Sequence, residues 1–221
     1  MYLYNVHTHK IGPSSIDGYP IQYILNTSPA EYTIHGSTPE NVHFSCGIHP
    51  WFADRWVEQL PLLRDAICQP NVVAIGEAGL DKLRGANMQT QIAAFRSQIE
   101  LAVIHQKPLI VHCVKAWDEL IALYKEYRND AVPWILHGYR GNPEQTKQLS
   151  KLGFLFSIGE MFNRDSLKYI PPSSLFCETD DSELSICNVY ELLCDDLGLS
   201  FDQFAFDIEE NVNLYLLDLT K

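Results

Sequence analysis

Short apolar runs recur along the chain at about 2–7, 22–25, 42–47, 72–77, 108–113, 132–137, 154–158 and 175–179. Their length and near-continuous hydrophobicity are those of strands buried on both faces, as in a parallel sheet. Most are separated by amphipathic stretches of helical period, at about 53–68, 87–106, 115–128, 143–152, 187–197 and 202–218. In the second of these, Ile92, Phe95, Ile99, Ala102 and Val103 fall near helical spacing and form one apolar stripe. Asn142-Pro143 reads as a cap and first turn, and Gly198 as a helix end. Strand–helix units with right-handed crossovers can wind a parallel sheet until its edges meet. The expected fold is therefore α/β, a (β/α)8 TIM-type barrel, with residues 1–221 as a single domain. Residues 10–41 break the rhythm. Gly12, Pro13, Gly18, Pro20, Pro29, Gly36 and Pro39 crowd there without a long helix, so the first two crossovers are expected to be loops and the barrel irregular at that point.

Composition narrows the function classes. The formal net charge is −12, from 16 Lys and Arg against 28 Asp and Glu. A protein that coats DNA needs a basic surface to neutralise phosphates, so this balance argues against one. It leaves room for an enzyme that meets an anion through metal ions and a few placed cations. The six cysteines form no Cys-x-x-Cys, and Cys46, Cys113 and Cys177 lie inside strand-like runs, where free cysteine acts as a small buried hydrophobe. No run approaches the roughly 18 apolar residues of a membrane span, and the N-terminus lacks the pattern of a signal peptide. The expectation is a cytoplasmic protein with no membrane partner.

The chemistry concentrates at the ends of the strand-like runs. His7 and His9 close the first, Glu77 the fourth, His112 the fifth, His137 the sixth, and Asp180 follows the eighth. In a (β/α)8 barrel the C-terminal ends of the strands share one rim, which is where active sites form. Imidazole and carboxylate donors together suit Zn²⁺, Mn²⁺ and related cations, and six donors are enough for two ions sharing a ligand. Such a set points to hydrolysis by metal-activated water.

The motifs resemble those of the TatD-type metal-dependent deoxyribonucleases, a family within the amidohydrolase-like metallo-hydrolases. They are His7-Thr8-His9, Gly47-Ile48-His49-Pro50, Gly76-Glu77-Ala78-Gly79-Leu80-Asp81, and Gln91 with Phe95. Pro108-Leu109-Ile110-Val111-His112, His137-Gly138-Tyr139-Arg140-Gly141 and Glu178-Thr179-Asp180 complete the set. The resemblance implies two divalent ions (Zn, Mn, Mg or Co), with His7, His9 and Asp180 on one, His112 and His137 on the other, and Glu77 bridging. It implies Asp180 as the group that accepts or orients a proton, and His49 as the histidine that faces substrate. The implied activity is a phosphodiesterase or deoxyribonuclease acting on DNA, a short nucleic acid or a small phosphodiester.

The chain departs from the family pattern in three places. Asn5 stands where the family has Asp before His-x-His, and Val114 stands where an Arg commonly follows the strand-five histidine. Asp181-Ser182-Glu183 leads almost directly into a helix where the family has a longer loop. The acidic charge, Val114 and the short loop after Asp180 favour an alternative, a metallo-hydrolase of a small amide, ester or lactone. Retention of all six ligand types argues against a third class, a non-catalytic binding protein. Lys10, Lys82, Arg84, Lys115, Arg140 and Arg164 fall in predicted rim loops, as do Trp51, Tyr139 and Phe162. Arg140 and Trp51 adjoin the motifs and are the candidates for substrate contact, a phosphate for one and a stacked base for the other. Asp81 is expected to shape its loop, Glu178 to be either a buried structural or supporting residue or a catalytic one, and His35, His43 and His105 to be surface or structural residues.

Overall fold

The computed structural model describes residues 1–33, 38–130 and 132–217. His35 and the last residue of the expected 202–218 helix lie outside them. Among the described residues there are nine strands: β1 (Leu3–Thr8), β2 (Ser15–Ile16), β3 (Tyr19–Thr27), β4 (Val42–Cys46), β5 (Val72–Asp81), β6 (Leu109–Val114), β7 (Trp134–Leu136), β8 (Leu155–Ile158) and β9 (Leu175–Cys177). Eight of them pair in parallel in the order β1-β3-β4-β5-β6-β7-β8-β9. A parallel bridge between Thr8 and Asp180 brings the first strand against the segment beyond the last. The sheet is thus a nearly closed barrel, closed at the rim that carries the candidate ligands.

The helices are α1 (Pro29–Tyr32), α2 (Trp56–Ile67), α3 (Met88–His105), α4 (Trp117–Tyr127), α5 (Pro143–Leu152), α6 (Arg164–Leu167), α7 (Ile186–Leu197) and α8 (Phe201–Val212). Their starts follow capping chemistry: Asn87, Asn142, Ser185 and Ser200 each accept a backbone N–H of the first turn, satisfying a donor that has no partner within the helix. Gly153 and Gly198 end α5 and α7 in left-handed conformation. The barrel interior and the helix–sheet layer form one apolar core. β1 is buried along its whole length, as a strand covered on both faces must be.

Four local features differ from the expectation. The first crossover holds a hairpin, β2 pairing antiparallel with β3 across Asp17-Gly18, both at positive φ, a pattern that matches a two-residue hairpin turn. The expected helix from residue 53 begins as a tight 3-10 segment, Pro50–Arg55, before α2. β5 runs on to Asp81, because Gly79, Leu80 and Asp81 keep pairing with β6, so Asp81 belongs to the strand rather than to a turn. α8 ends at Val212 and passes into a wider turn, Asn213–Leu217.

Candidate active site

The strand ends deliver the donors to one place. β1 carries His7, fully buried, and His9 follows just past its end. β5 carries Glu77 and, four residues on, Asp81. β6 supplies His112, and His137, Glu178 and Asp180 lie directly after β7 and β9. Two glycines permit this convergence. A Cβ on Gly79, which sits at φ +148°, would lie 2.0 Å from the His112 carbonyl oxygen, so β5 approaches β6 this closely only without a side chain. A Cβ on Gly47 would lie 2.7 Å from the Gly76 backbone, so the end of β4 packs on β5 and brings His49 over Glu77.

Glu77 is the centre, and its two oxygens face different histidines. Oε1 lies 2.6 Å from His112 Nδ1, 2.7 Å from His137 Nε2 and 3.2 Å from His49 Nε2. Oε2 lies 3.6 Å from His7 Nε2 and 3.9 Å from His9 Nε2. Asp180 Oδ1 completes that side, 3.6 Å from His7 Nε2 and 3.4 Å from His9 Nε2. Two ligands each about 2.1 Å from a tetrahedral cation stand roughly 3.4 Å apart, so the His7–His9–Asp180 spacing is that of donors around an ion. His7, although wholly buried, has no hydrogen-bond partner on either ring nitrogen among the described residues. A buried orphan imidazole is costly unless something absent from the protein chain engages it, and a cation fits both the gap and the donor set. Ligand atoms within 4.8 Å of one another also group His49 with Glu77 and His112, and His137 with Glu178 and Asp180.

The electrostatics follow from this crowding. Burial opposes ionisation of Glu77, but His137 and the ring N–H groups of His112, His137 and His49 outweigh it and hold the carboxyl well below its ordinary range. Burial likewise opposes charge on Asp180, and His7 and His9 overcome it, keeping the carboxyl ionised. His137 is pushed well above the usual imidazole value, burial being outweighed by Glu77 and Glu178. His9 is raised, chiefly by its hydrogen bond to Asp180. His49 is lowered, because its burial outweighs the pull of Glu77.

A second layer holds these groups. Asp81 Oδ2 accepts from Trp51 Nε1 at 2.7 Å and lies 3.4 Å from His112 Nε2, while Oδ1 accepts from the Leu83 and Arg84 backbone. The Glu178 Oε1 atom accepts from Gly138 N at 2.7 Å and lies 3.5 Å from His137 Nδ1. Asn26 Oδ1 accepts the Glu77 backbone N–H at 2.7 Å. Asn5 grips the strand beside it: Oδ1 accepts from Thr179 N at 3.0 Å and Nδ2 donates to Thr179 Oγ1 at 2.7 Å. Two buried glutamines of α3 serve the rim, Gln91 bonding Asp81 and its loop, Gln98 bonding both backbone groups of Ile48. Sequence reasoning missed Asn26 and Gln98. The signal for Gln98 was present, a polar residue within the apolar stripe of α3.

Clefts open on both sides of the cluster. One, of about 690 Å³, runs past His112, His137 and Asp180 and is lined by Val114, Lys115, Trp117, Arg140 and Gln145. The other, of about 360 Å³, is lined by His9, Glu31, His49, Trp51, Phe52 and Asp181. Arg140 thus reaches the first cleft and Trp51 the second. The remaining rim candidates separate. Lys10 pairs with Glu183, Lys82 with Glu119 and Arg164 with Asp196, while Arg84 lies 4.8 Å over the Trp51 ring. Tyr139 is buried in the core, with its hydroxyl 2.9 Å from Thr146 Oγ1. Phe162 packs partly buried against the same core. His43 and His105 stand away from the cluster, His43 on β4 and His105 at the end of α3.

Comparison with known proteins places these features in a family. The model of TatD-related DNases matches residues 18–185. A protein named 3′-5′ ssDNA/RNA exonuclease TatD, from Rahnella sp. (strain Y9602), is 33% identical over 152 residues, covering 64% of this chain and 58% of that protein. An uncharacterized metal-dependent hydrolase from Buchnera aphidicola is 29% identical over 153 residues, covering 66% of this chain and 58% of that one. The match therefore spans 58% of the length of these curated relatives. Among solved structures, a TatD homologue from Escherichia coli K12 superposes with a TM-score of 0.81 at 20% identity, covering 97% of each chain. An uncharacterized amidohydrolase from Saccharomyces cerevisiae gives 0.78 at 12% identity, covering 97% of this chain and 99% of that one. At these identities the two structures establish the shared barrel.

Proposed function

The chain belongs to the TatD-related DNase family, and from that premise we propose that it is a metal-dependent phosphodiesterase that cleaves single-stranded nucleic acid. The observation that carries the proposal is the division of Glu77, with Oε1 facing His112 and His137 and Oε2 facing His7 and His9. A carboxylate shared in this way would suit two divalent cations, one on each oxygen, and Zn²⁺, Mn²⁺, Mg²⁺ and Co²⁺ are compatible with the donor set. His7, His9 and Asp180 would hold one and His112 and His137 the other. Cations bound there would polarise a phosphoryl oxygen and acidify an attacking water.

The chain's own residues supply the rest. Asp180, held ionised and about one-third exposed, is placed to take a proton from the attacking water. His49 receives the Trp51 backbone N–H on Nδ1, which leaves Nε2–H to donate toward the centre. That donor meets negative charge developing on a phosphate oxygen. A strand crossing the cluster would lie along both clefts, with Lys115 and Arg140 on its phosphates and the Trp51 and Phe52 faces against a base. Arg140 carries no ion pair among the described residues, which leaves its guanidinium free for that contact.

The test is turnover of a short single-stranded DNA and of bis-p-nitrophenyl phosphate after loading with Mg²⁺, Mn²⁺ or Zn²⁺, in wild type and Glu77→Gln. Cation-dependent cleavage that falls at least about 10³-fold in the variant is expected, since the bridge positions both ions. Two bound cations with no cleavage of DNA, RNA or the small diester would sink the phosphodiesterase reading. It would shift the site to an amide, ester or lactone.

A further inference from the structure

The two histidines on Glu77 Oε1 reach it with different ring atoms, His112 with Nδ1 and His137 with Nε2. Each turns its other nitrogen to a second carboxylate. His112 Nε2 lies 3.4 Å from Asp81 Oδ2, and His137 Nδ1 lies 3.5 Å from Glu178 Oε1. A neutral imidazole has one N–H and one lone pair, and the partner that holds the N–H decides which nitrogen is left bare. We propose that Asp81 and Glu178 are positioning residues that, in the cation-loaded protein where the ring protons facing Glu77 are given up, impose opposite tautomers, Nε2–H on His112 and Nδ1–H on His137. Both lone pairs then converge on the position beside Glu77 Oε1. The inference rests on the reading of these histidines as cation ligands.

The surroundings of both carboxylates favour this role over simple loop support. Asp81 is buried and accepts from Trp51 Nε1 and from the Leu83 and Arg84 backbone N–H groups, while Gln91 pins its own backbone. Surrounded by donors, it acts toward His112 as an acceptor. Glu178 is fully buried, and among the described residues its carboxylate accepts a single hydrogen bond, from Gly138 N, while Oε2 has no partner. That is poor compensation for a buried carboxylate, and the His137 Nδ1–H is the donor at hand. His7 has no equivalent: its Nδ1 faces no carboxylate among the described residues. The device therefore belongs to the His112–His137 pair, and Asp81 also ties that pair to Trp51 at the edge of the cleft.

Opposite consequences follow from two conservative variants. In Asp81→Asn the amide oxygen can keep the loop N–H groups, which turns Nδ2–H toward His112 Nε2 and takes the acceptor from Trp51 Nε1. The ring proton is then driven to Nδ1, the nitrogen meant for the cation. In Glu178→Gln the amide oxygen can stay where Oε1 is and accept from both Gly138 N and His137 Nδ1, so the tautomer survives. Glu178→Met, of similar length without a comparable acceptor, removes it.

Zn²⁺ titration by calorimetry, with bound metal counted, reads the effect. Loss of a partner that orients a ligating histidine costs about 10–100-fold in metal affinity. One of two binding steps should weaken by that factor in Asp81→Asn and in Glu178→Met, with the other step within about threefold and Glu178→Gln less affected than Glu178→Met. Long-range ¹H–¹⁵N spectra of the Zn²⁺-loaded wild type read the tautomers directly and need no variant to fold. Nε2–H on His112 and Nδ1–H on His137 are expected. The opposite tautomer on either ring, or Asp81→Asn with both steps unchanged, overturns the proposal. A wild type that binds no cation would instead remove the metal-site reading beneath it.

Discussion

Glu77 accepts from imidazoles on one oxygen and faces two more across a gap on the other, so protons and cations compete for the same rings. Only neutral imidazole ligates a metal. His137 and His9 are both held protonated above the ordinary value of 6.5, the first by Glu77 and Glu178, the second by Asp180. Cation affinity should therefore keep rising with pH above 6.5, and binding at neutral pH should release protons, measurable by calorimetry in buffers of different ionisation enthalpy. In the cation-free protein the sign reverses. A raised folded-state pKa stabilises the fold fully below the unfolded value, and that contribution is lost as pH rises through the folded one. At this scale the sequence was legible wherever residue type alone carried chemistry: His7, His9, Glu77, His112, His137 and Asp180 meet at one rim as their positions implied. Asn5 was legible only as a departure. Its role, clamping Thr179 next to Asp180, depends on contact between the first and last strands. Tyr139, placed in a rim loop by the sequence, is buried in the core, since proximity to a motif in sequence does not tell which way a side chain points.

β5 does the most to build the centre, since Glu77, Gly79 and Asp81 lie on the same strand. Alternation sends all three to one side of the sheet. Gly79→Ala would push a methyl group into the His112 carbonyl and force an L residue to a positive φ. Overpacking and backbone strain together put the cost at about 3 kcal/mol. Urea unfolding should show that loss, with cation binding weakened as His112 moves. An unchanged midpoint would mean that β5 and β6 can separate without cost. α3 supports the same strand with Gln91 and Gln98, seven residues apart and therefore on one helix face. The apolar stripe predicted α3 well, but periodicity cannot say that two polar members of the stripe bond strand ends. The Ser15–Ile16 strand escaped notice for a simpler reason. Two residues are too few to show alternation, although Asp17-Gly18 held the turn signal.

Across the whole molecule, an acidic chain surrounds a site proposed to bind a polyanion. Three of the six rim cations considered are paired with carboxylates and Arg84 lies over the Trp51 ring, which leaves Lys115 and Arg140 to meet phosphates in the larger cleft. Few phosphates are then neutralised by side chains, and two contacts on a single strand give a slope of about −1.4 in log affinity against log salt. The dependence of log(kcat/KM) on log salt for a short DNA should be correspondingly shallow, and Arg140→Ala should flatten it by about 0.7. A steep slope would point to a basic surface elsewhere. The barrel itself was readable because eight strands and their crossovers repeat one rhythm, while its closure through Thr8 and Asp180 is a long-range pairing that local pattern cannot reveal. Among the described residues no helix is long and apolar enough to cross a membrane. Everything proposed for the site depends on two cations flanking one carboxylate. Anomalous diffraction from crystals soaked in Mn²⁺ or Zn²⁺ tests this most directly. Two peaks about 3.5–4 Å apart are expected, one between Glu77 and the His7–His9–Asp180 side, the other between Glu77 and His112–His137. A single peak at full occupancy, or peaks away from Glu77, would contradict the account.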